Sequence, residues 1–188
     1  MLSNTSSSWG SAAKALHWFA AALIFFLLIH GWIMVGLPTR ELRFANYGWH
    51  ASVGYTTLAL MIVRLIWRWI NAVPALPSDA ARWEIVAARA GHAGLYLLIL
   101  AATFSGWAMA GTMRRPLDAG LFGLIPVPAI VTDRALKDQL ESAHSLIAWT
   151  LAALVVVHIA GALYHLWIKK DGIMQRMLPA ALIRKPAP

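Results

Sequence analysis

The chain has 188 residues, of which 60% are hydrophobic and only 13% are charged, and its mean hydropathy of +0.62 is too high for a soluble domain with a solvated surface. Because the chain contains no cysteine, disulfides, thiolate-bound metals and thioether-linked cofactors are excluded. In a chain this apolar, the formal net charge of +8 indicates contact with a membrane surface and not with nucleic acid.

Four stretches of the sequence lack Asp, Glu, Lys and Arg and are long enough to be membrane spans. They run from 15 to 39, 44 to 63, 90 to 113 and 142 to 168. A helix needs about 20 residues to cross the hydrocarbon core of a bilayer. The next interval, 119–132, contains two prolines and is predicted to be an interfacial loop. The sequence therefore predicts an all-α, integral membrane four-helix bundle, with spans at about 15–37, 46–69, 90–112 and 142–168.

The segments outside the spans are short. Residues 1–14 form a serine-rich tail without a signal-peptide pattern, so we expect the first helix to remain in the mature protein. Residues 169–188 form a basic C-terminal tail, and we expect the serine run and the proline-containing end to be disordered. The side with both tails and the loop after the second span carries ten Lys and Arg residues, against six on the other side. The positive-inside rule then predicts that both termini are cytoplasmic.

Histidines are unusually frequent in the spans. An ionisable side chain inside a membrane is costly and is a candidate functional residue by default. A single histidine is well explained as a hydrogen-bonding partner of a neighbouring helix. That explanation fits poorly with histidines on all four spans, which are His17 and His30 on the first, His50 on the second, His92 on the third, and His144, His158 and His165 on the fourth.

The spacing of two of these histidines indicates a pair of cofactor sites. His144 and His158 are fourteen residues apart, so on a helix they lie about 40° apart around the axis and about 21 Å apart along it. Zinc or copper needs ligands that converge, often at i, i+3 or i+4, and the sequence has no such histidine pair. A haem instead takes one axial ligand on each face, here from different helices.

Depth in the membrane selects the partners of these two residues. The second span runs inward from the periplasm, so His50 lies at the level of His144, near the outer surface. The first span runs outward, so His17 is nearest in level to His158, in the cytoplasmic half. His30 lies about 140° from His17 around the first helix and is the weaker choice for either ligand.

Two further residues of the second span face the same way as His50. Gly54 is four residues further on, where the lack of a side chain allows a porphyrin to approach the backbone; close helix packing explains it equally well. Arg64 is fourteen residues further on, near the cytoplasm, where its guanidinium suits a haem propionate.

The sequence around these histidines resembles the bacterial di-haem cytochrome b561 family, and within it the superoxide oxidase type. The resemblance is carried by ALHW at 15–18, GWHASVGYTTLALMIVRLIWRW at 48–69, ARAGHAGLYLLILAATFSGWAM at 88–109 and AHSLIAWTLAALVVVHIAGALYHLWIKKDGIMQRMLP at 143–179. It implies two non-covalent b-type haems, whose irons are bound by His17 with His158 and by His50 with His144. It also implies a ubiquinone pocket near His165 and His92, and a multi-pass protein of the bacterial inner membrane.

The leading hypothesis is a superoxide:ubiquinone oxidoreductase. Superoxide gives one electron at the periplasmic face to the haem of His50 and His144. The electron then passes through the haem of His17 and His158 to ubiquinone. Because bis-histidine haem has both axial positions filled, it favours electron transfer over oxygen binding.

Catalytic roles fall on residues near the two ends of the spans. Arg114 and Arg115, together with Arg40 and Arg43, are candidates for steering the superoxide anion, and each is at least as well explained as an interfacial anchor. His165 is the candidate proton donor to the quinone, because an imidazole titrates near neutral pH. Anchoring of the last helix is its competing explanation.

Two other functions stay open at this point. The first keeps both haems and reverses the flow, with quinol as donor and a periplasmic redox protein as acceptor. The short outer loops favour a small reactant over a docked protein, and no obligate protein partner is expected. The second is a haem-free transporter or scaffold, and the lack of an inverted repeat disfavours transport.

Overall fold

The protein is built from four long helices, in agreement with the predicted all-α class. The computed structural model describes residues 1–75, 80–113 and 120–178, so the predicted steering residues Arg114 and Arg115 lie outside the described residues. The helices are α1 (Ser11–Val35), α2 (Arg40–Ile70), α3 (Arg82–Gly111) and α4 (Lys137–Tyr164). All four are long and apolar enough to cross a membrane, which confirms the predicted number of spans.

Each helix extends beyond the uncharged stretch from which it was predicted. Lys14 lies within α1, while α2 and α3 begin with an arginine at Arg40 and Arg82. Charged side chains at a helix end leave the backbone hydrogen bonds intact and reach the interfacial water, so they do not terminate the helix. The start of α2 is instead set by Thr39, whose hydroxyl accepts a hydrogen bond from Leu42 N–H at 3.2 Å.

The helices pack in sequence, α1 on α2, α2 on α3 and α3 on α4. Their core is a layer of one buried apolar side chain from each helix, here called the middle layer: Ala20, Met61, Ile99 and Leu151. Large apolar side chains also cover the outside of the bundle; Trp32 is 70% exposed and Val156 is 67% exposed. A surface of this kind is stable against lipid, so the bundle presents its apolar side chains to the bilayer.

The serine-rich N-terminal segment is ordered, so the prediction of disorder was wrong for residues 1–10. Asn4 Nδ2 donates to the carbonyl of Ala72 at 2.8 Å, and Ala75 N–H donates to the carbonyl of Ser6 at 2.9 Å. Asn4 Oδ1 also accepts from Gly10 N–H at 2.9 Å, just before α1. Short polar side chains form such local turns readily, which low sequence complexity does not reveal.

The C-terminal segment lies at the same end of the bundle. After α4 the chain forms a π-helical turn, His165–Lys169, and a short helix, α5 (Ile173–Met177). Lys14 Nζ donates to the carbonyl of Leu178 at 2.9 Å, and Arg176 donates to the carbonyl of Ala75 at 2.8 Å. We call this the terminal end and the opposite end, with the α1–α2 and α3–α4 connections, the loop end.

Candidate functional site

At the loop end, one histidine of α2 faces one histidine of α4 across the bundle. The ring centroids of His50 and His144 are 6.3 Å apart, with their planes at 85°. A bond between a metal and an imidazole nitrogen is about 2 Å long, and each ring centre lies slightly behind its nitrogen. The separation therefore suits two imidazoles that bind one metal from opposite sides, as the axial ligands of a haem do.

A hydroxyl on α3 fixes the tautomer of His144. Ser105 Oγ donates its only proton to the carbonyl of Ala102 at 3.0 Å. The same oxygen is 3.0 Å from His144 Nδ1, so it accepts a hydrogen bond from the Nδ1 proton. A neutral imidazole carries one N–H, and this leaves the Nε2 lone pair of His144 available to a metal.

Two glycines make room for the loop-end imidazoles. A Cβ added to Gly31 of α1 would lie 3.2 Å from His50 Cε1, and one added to Gly106 of α3 would lie 3.1 Å from His144 Cε1. Both distances are shorter than ordinary van der Waals contacts between carbon atoms. Each imidazole is thus packed directly against the backbone of a neighbouring helix.

A cavity adjoins this pair of histidines. It has a volume of about 430 Å³, within the usual range for ligand sites, and its walls come from all four helices. His50, His144 and Gly54 line it, and Lys137 and Glu141 line it at the loop end. A Cβ added to Gly54 would meet no atom within 4 Å. Open space, and not close helix packing, therefore surrounds Gly54, which suits the flat face of a porphyrin.

A second pair of histidines faces one another at the terminal end. His17 of α1 and His158 of α4 have ring centroids 6.3 Å apart, with their planes at 62°. His92 of α3 is 5.5 Å from His158 by the same measure. The structure thus brings together both pairs predicted from depth and adds His92 beside the second.

Arg64 reaches this second pair directly. Its guanidinium is 3.0 Å from His17 Nδ1, and its Nε donates to the hydroxyl of Tyr96 at 3.0 Å. An imidazole that accepts at Nδ1 carries its proton on Nε2, so metal binding through Nε2 requires Arg64 to release His17. A haem propionate is the kind of anion to which Arg64 would then turn.

The middle layer separates the two pairs of histidines. On α4, Leu151 lies halfway between His144 and His158 and is 4% exposed. Met61 of α2 is 2% exposed in the same cluster. This layer places buried apolar side chains between the two sites, and Ile99 and Leu151 also line the loop-end cavity.

His165 has an acidic partner at the terminal end. Its Nδ1 is hydrogen-bonded to Asp171 Oδ2, in the turn that follows α4. Burial alone raises the pKa of Asp171, but the hydrogen bonds from Ile173 N–H and His165, with the charge of Lys169, lower it below its usual value. The carboxylate is therefore ionised at neutral pH, so it can hold His165 in one orientation.

The loop-end arginines differ in their contacts. Arg40 is exposed at the first turn of α2. Arg43 donates to the carbonyl of Leu37, so its guanidinium bridges the α1–α2 connection. This contact supports the anchoring explanation for Arg43 and leaves Arg40 facing solvent.

Several residues beside the histidine pairs were not predicted as functional. Ser105, Tyr96, Gly31 and Gly106 all contact a candidate ligand or its neighbour. Serine, tyrosine and glycine are common in membrane helices, and their spacing within one helix does not show which neighbouring helix they meet. Asp171, the partner of His165, was also not predicted. It was the one such residue with a sequence signal, because it is a carboxylate just after the last span.

A family model and several curated relatives match this chain, and three of the relatives are described here. Residues 8–180 match the family described as Prokaryotic cytochrome b561. "Cytochrome b561 homolog 2" of Escherichia coli (strain K12) is 33% identical over 184 residues, which cover 93% of each chain. "Cytochrome b561 homolog 1" of the same organism is 26% identical over 87% of this chain and 93% of its own. "Probable superoxide oxidase CybB" of Yersinia pestis is 28% identical over 87% of this chain and 92% of its own.

The arrangement of the site agrees with these matches. Among the described residues, no three His, Cys, Asp or Glu side chains converge on a point suited to a metal ion, whereas two pairs of imidazoles face one another. Prokaryotic cytochrome b561 proteins are membrane proteins that transfer electrons and bind b-type haem, and two facing imidazoles are suitable ligands for such a haem. From the family match over nearly the whole sequence, the chain belongs to the prokaryotic cytochrome b561 family.

Proposed function

We propose that the protein binds two b-type haems, one between His50 and His144 and the other between His17 and His158. The observation that carries this proposal is the equal separation of 6.3 Å between the ring centroids of each pair. The open space at Gly54 and the protonated Nδ1 of His144 support the loop-end site. When bound by these histidines, each haem would supply one-electron redox chemistry.

The surrounding residues orient the ligands and set the polarity between the two sites. Ser105 holds His144 with Nε2 unprotonated, and Gly31 and Gly106 allow both loop-end imidazoles to lie against neighbouring helices. The middle layer places apolar side chains between the two pairs, an environment of low polarity. Arg64 supplies a positive charge beside His17 that suits a propionate.

The reaction we propose is the oxidation of periplasmic superoxide with reduction of ubiquinone in the bacterial inner membrane. Two superoxide ions each lose one electron and leave as dioxygen, and one ubiquinone takes up two electrons and two protons to become ubiquinol. A relative named as a probable superoxide oxidase, 28% identical to this chain, supports this donor. Exposed Arg40 supplies a positive charge that attracts a small anion to the loop end. Arg114 and Arg115 lie outside the described residues, and the proposal that they also steer the anion rests on the sequence alone.

Protons for the quinone come from the terminal end in this proposal. His165 Nδ1 is hydrogen-bonded to Asp171, which leaves Nε2 as the nitrogen that exchanges a proton with the quinone. His92 borders His158 on the same half of the bundle and forms part of the quinone site.

The reaction can be tested with the purified holoprotein in liposomes that contain ubiquinone. We expect a steady external source of superoxide to produce one ubiquinol for every two superoxide ions consumed, and superoxide dismutase to abolish the product. Two bound haems without any superoxide-dependent ubiquinol would contradict the proposed donor. Reduction of the protein by ubiquinol, with no response to superoxide, would favour the reverse flow to a periplasmic redox partner.

The role of His165 has its own test in the same assay. His165→Leu should slow ubiquinol formation about 100-fold or more, as loss of a general acid does, and leave the haem spectrum unchanged. Trp167→Leu, two residues away at a side chain that is 65% exposed, is the matched control and should keep the parent rate. Loss of haem in His165→Leu, or equal rates in the two variants, would overturn the assignment.

A further inference from the structure

His30 has no role in the function proposed above, and it lies directly against the candidate haem ligand His50. The two imidazoles are stacked, with ring centroids 5.7 Å apart and planes 16° from parallel. The ring of Phe26 lies 5.0 Å from that of His30, with the planes 15° apart. Two nearly parallel rings of α1 thus lie beside the loop-end candidate ligand on α2.

A side-chain amide determines which nitrogen of His30 carries the proton. Asn46 Nδ2 donates to the carbonyl of Leu42 at 2.8 Å, which orients the amide and leaves Oδ1 as an acceptor. Asn46 Oδ1 is 2.9 Å from His30 Nε2, so His30 donates from Nε2. A neutral His30 therefore has an unprotonated Nδ1 with a free lone pair.

The Nδ1 atoms of both stacked rings are buried and have no hydrogen-bond partner among the residues that the structure describes. The Nδ1 of His30 is an acceptor, as Asn46 dictates. His50 is the reverse case: a histidine that binds metal through Nε2 carries its proton on Nδ1, which makes that atom a donor. A buried donor and a buried acceptor thus lie on adjacent rings, and leaving either unpaired is costly.

We propose that His30 is a positioning residue for the loop-end haem, with its Nδ1 accepting a hydrogen bond from His50 Nδ1–H through one bridging water molecule. This inference rests on the proposed haem at His50 and His144. An acceptor on the far nitrogen makes a ligating imidazole a stronger electron donor, which stabilises the oxidised metal. His30 therefore lowers the midpoint potential of the loop-end haem and leaves the terminal-end haem unaffected.

The test is a spectroscopic redox titration of the purified holoprotein, with His158→Leu used to assign the loop-end haem. His30→Phe keeps a stacked ring and removes the acceptor, so the midpoint potential of the loop-end haem should rise while that of the other haem stays constant. His30→Gln offers a side-chain acceptor and should return the potential towards the parent value. Phe26→Leu removes the other stacked ring and should leave both potentials unchanged.

Three results would overturn the inference: an unshifted loop-end potential in His30→Phe, an equal shift in His30→Phe and His30→Gln, or an equal shift of both haems. Loss of the loop-end haem in His30→Phe but not in His30→Gln supports the role of the acceptor, and loss in both variants contradicts it. A parent protein without a loop-end haem would instead refute the proposed function, and this inference with it.

Discussion

Two adjacent residues of α3 determine the position of His144: Ser105 through its hydroxyl group and Gly106 through its lack of a side chain. Ser105 decides which nitrogen is protonated, and Gly106 decides how closely the ring approaches α3. The two residues are adjacent in sequence, so a small shift of this one turn changes both contacts. The loop-end site therefore depends on the backbone of α3 as much as on the two ligands.

The close contact between Gly106 and His144 can be tested by adding a methyl group. In Gly106→Ala the new methyl group would lie 3.1 Å from His144 Cε1, and relieving such crowding costs about 1–3 kcal/mol. We expect the loop-end haem to be lost and the terminal-end haem to remain, as measured by haem per polypeptide. Gly161→Ala is the control, because its Cβ would meet no atom within 4 Å. Equal haem content in both variants would show that the methyl group is tolerated.

Asp171 gives a prediction on pH. Its pKa is lowered in the folded protein, so its interactions stabilise the fold above the usual carboxyl range and are lost as the pH falls through the lowered pKa. The unfolding free energy of Asp171→Asn should therefore fall furthest below that of the parent near neutral pH, and the difference should shrink below about pH 4. Chemical unfolding in detergent at several pH values measures it. A difference that does not vary with pH would contradict this account.

The candidate haem ligands could be predicted from sequence because spacing and depth are properties of single helices. His144 and His158 share a face by helical periodicity, and His17 and His50 are matched to them by level. The partners of His30 could not be predicted, since they depend on the rotation of α1 against α2, which periodicity within one helix does not determine. His30 is a weak candidate ligand by its position on the helix, and its contact with His50 is visible only in the structure.

At the scale of the helices, the middle layer is what unites four weakly buried spans. Each helix contributes one side chain to it, and most of the remaining apolar surface faces lipid. Because lipid is as apolar as a leucine side chain, burial itself gives little driving force between the helices. Close packing within this layer therefore holds the helices together.

The contribution of the middle layer to stability can be tested by substituting Leu151, its member on α4. Leu151→Ala leaves a cavity in a packed core and should lower the unfolding free energy by about 2 kcal/mol or more. Val156→Ala is the control on the same helix; its side chain is 67% exposed, and the change should be within about 0.5 kcal/mol of zero. Reversible unfolding in mixed detergent micelles provides the comparison. Equal effects would show that the layer does not stabilise the bundle.

The uncharged stretches of the sequence predict the number of long helices correctly, but they do not predict where each helix begins and ends. Charge marks where a span meets water, whereas a helix ends where its backbone hydrogen bonds end, as at Thr39 before α2 and Gly36 after α1. The π-helical turn His165–Lys169 likewise leaves no charge signal. Composition therefore predicts spans better than it predicts helices.

At the scale of the whole molecule, both termini lie at one end and the two candidate sites are stacked along the bundle. The prediction that both termini are cytoplasmic can be checked with reporter fusions in bacterial cells. A reporter that is active only in the periplasm should be inactive at either terminus and active when inserted at residues 120–133, in the α3–α4 connection. The opposite pattern would place the loop-end site on the cytoplasmic side and the terminal-end site on the periplasmic side.

A reduced-minus-oxidised spectrum of the purified protein tests most directly whether two haems lie between the two pairs of histidines. Quantified haem should amount to two b-type haems per polypeptide in the parent. His50→Ala and His158→Ala should each retain one haem, with distinguishable spectra. One haem in the parent, or two haems that survive both substitutions, would contradict the account.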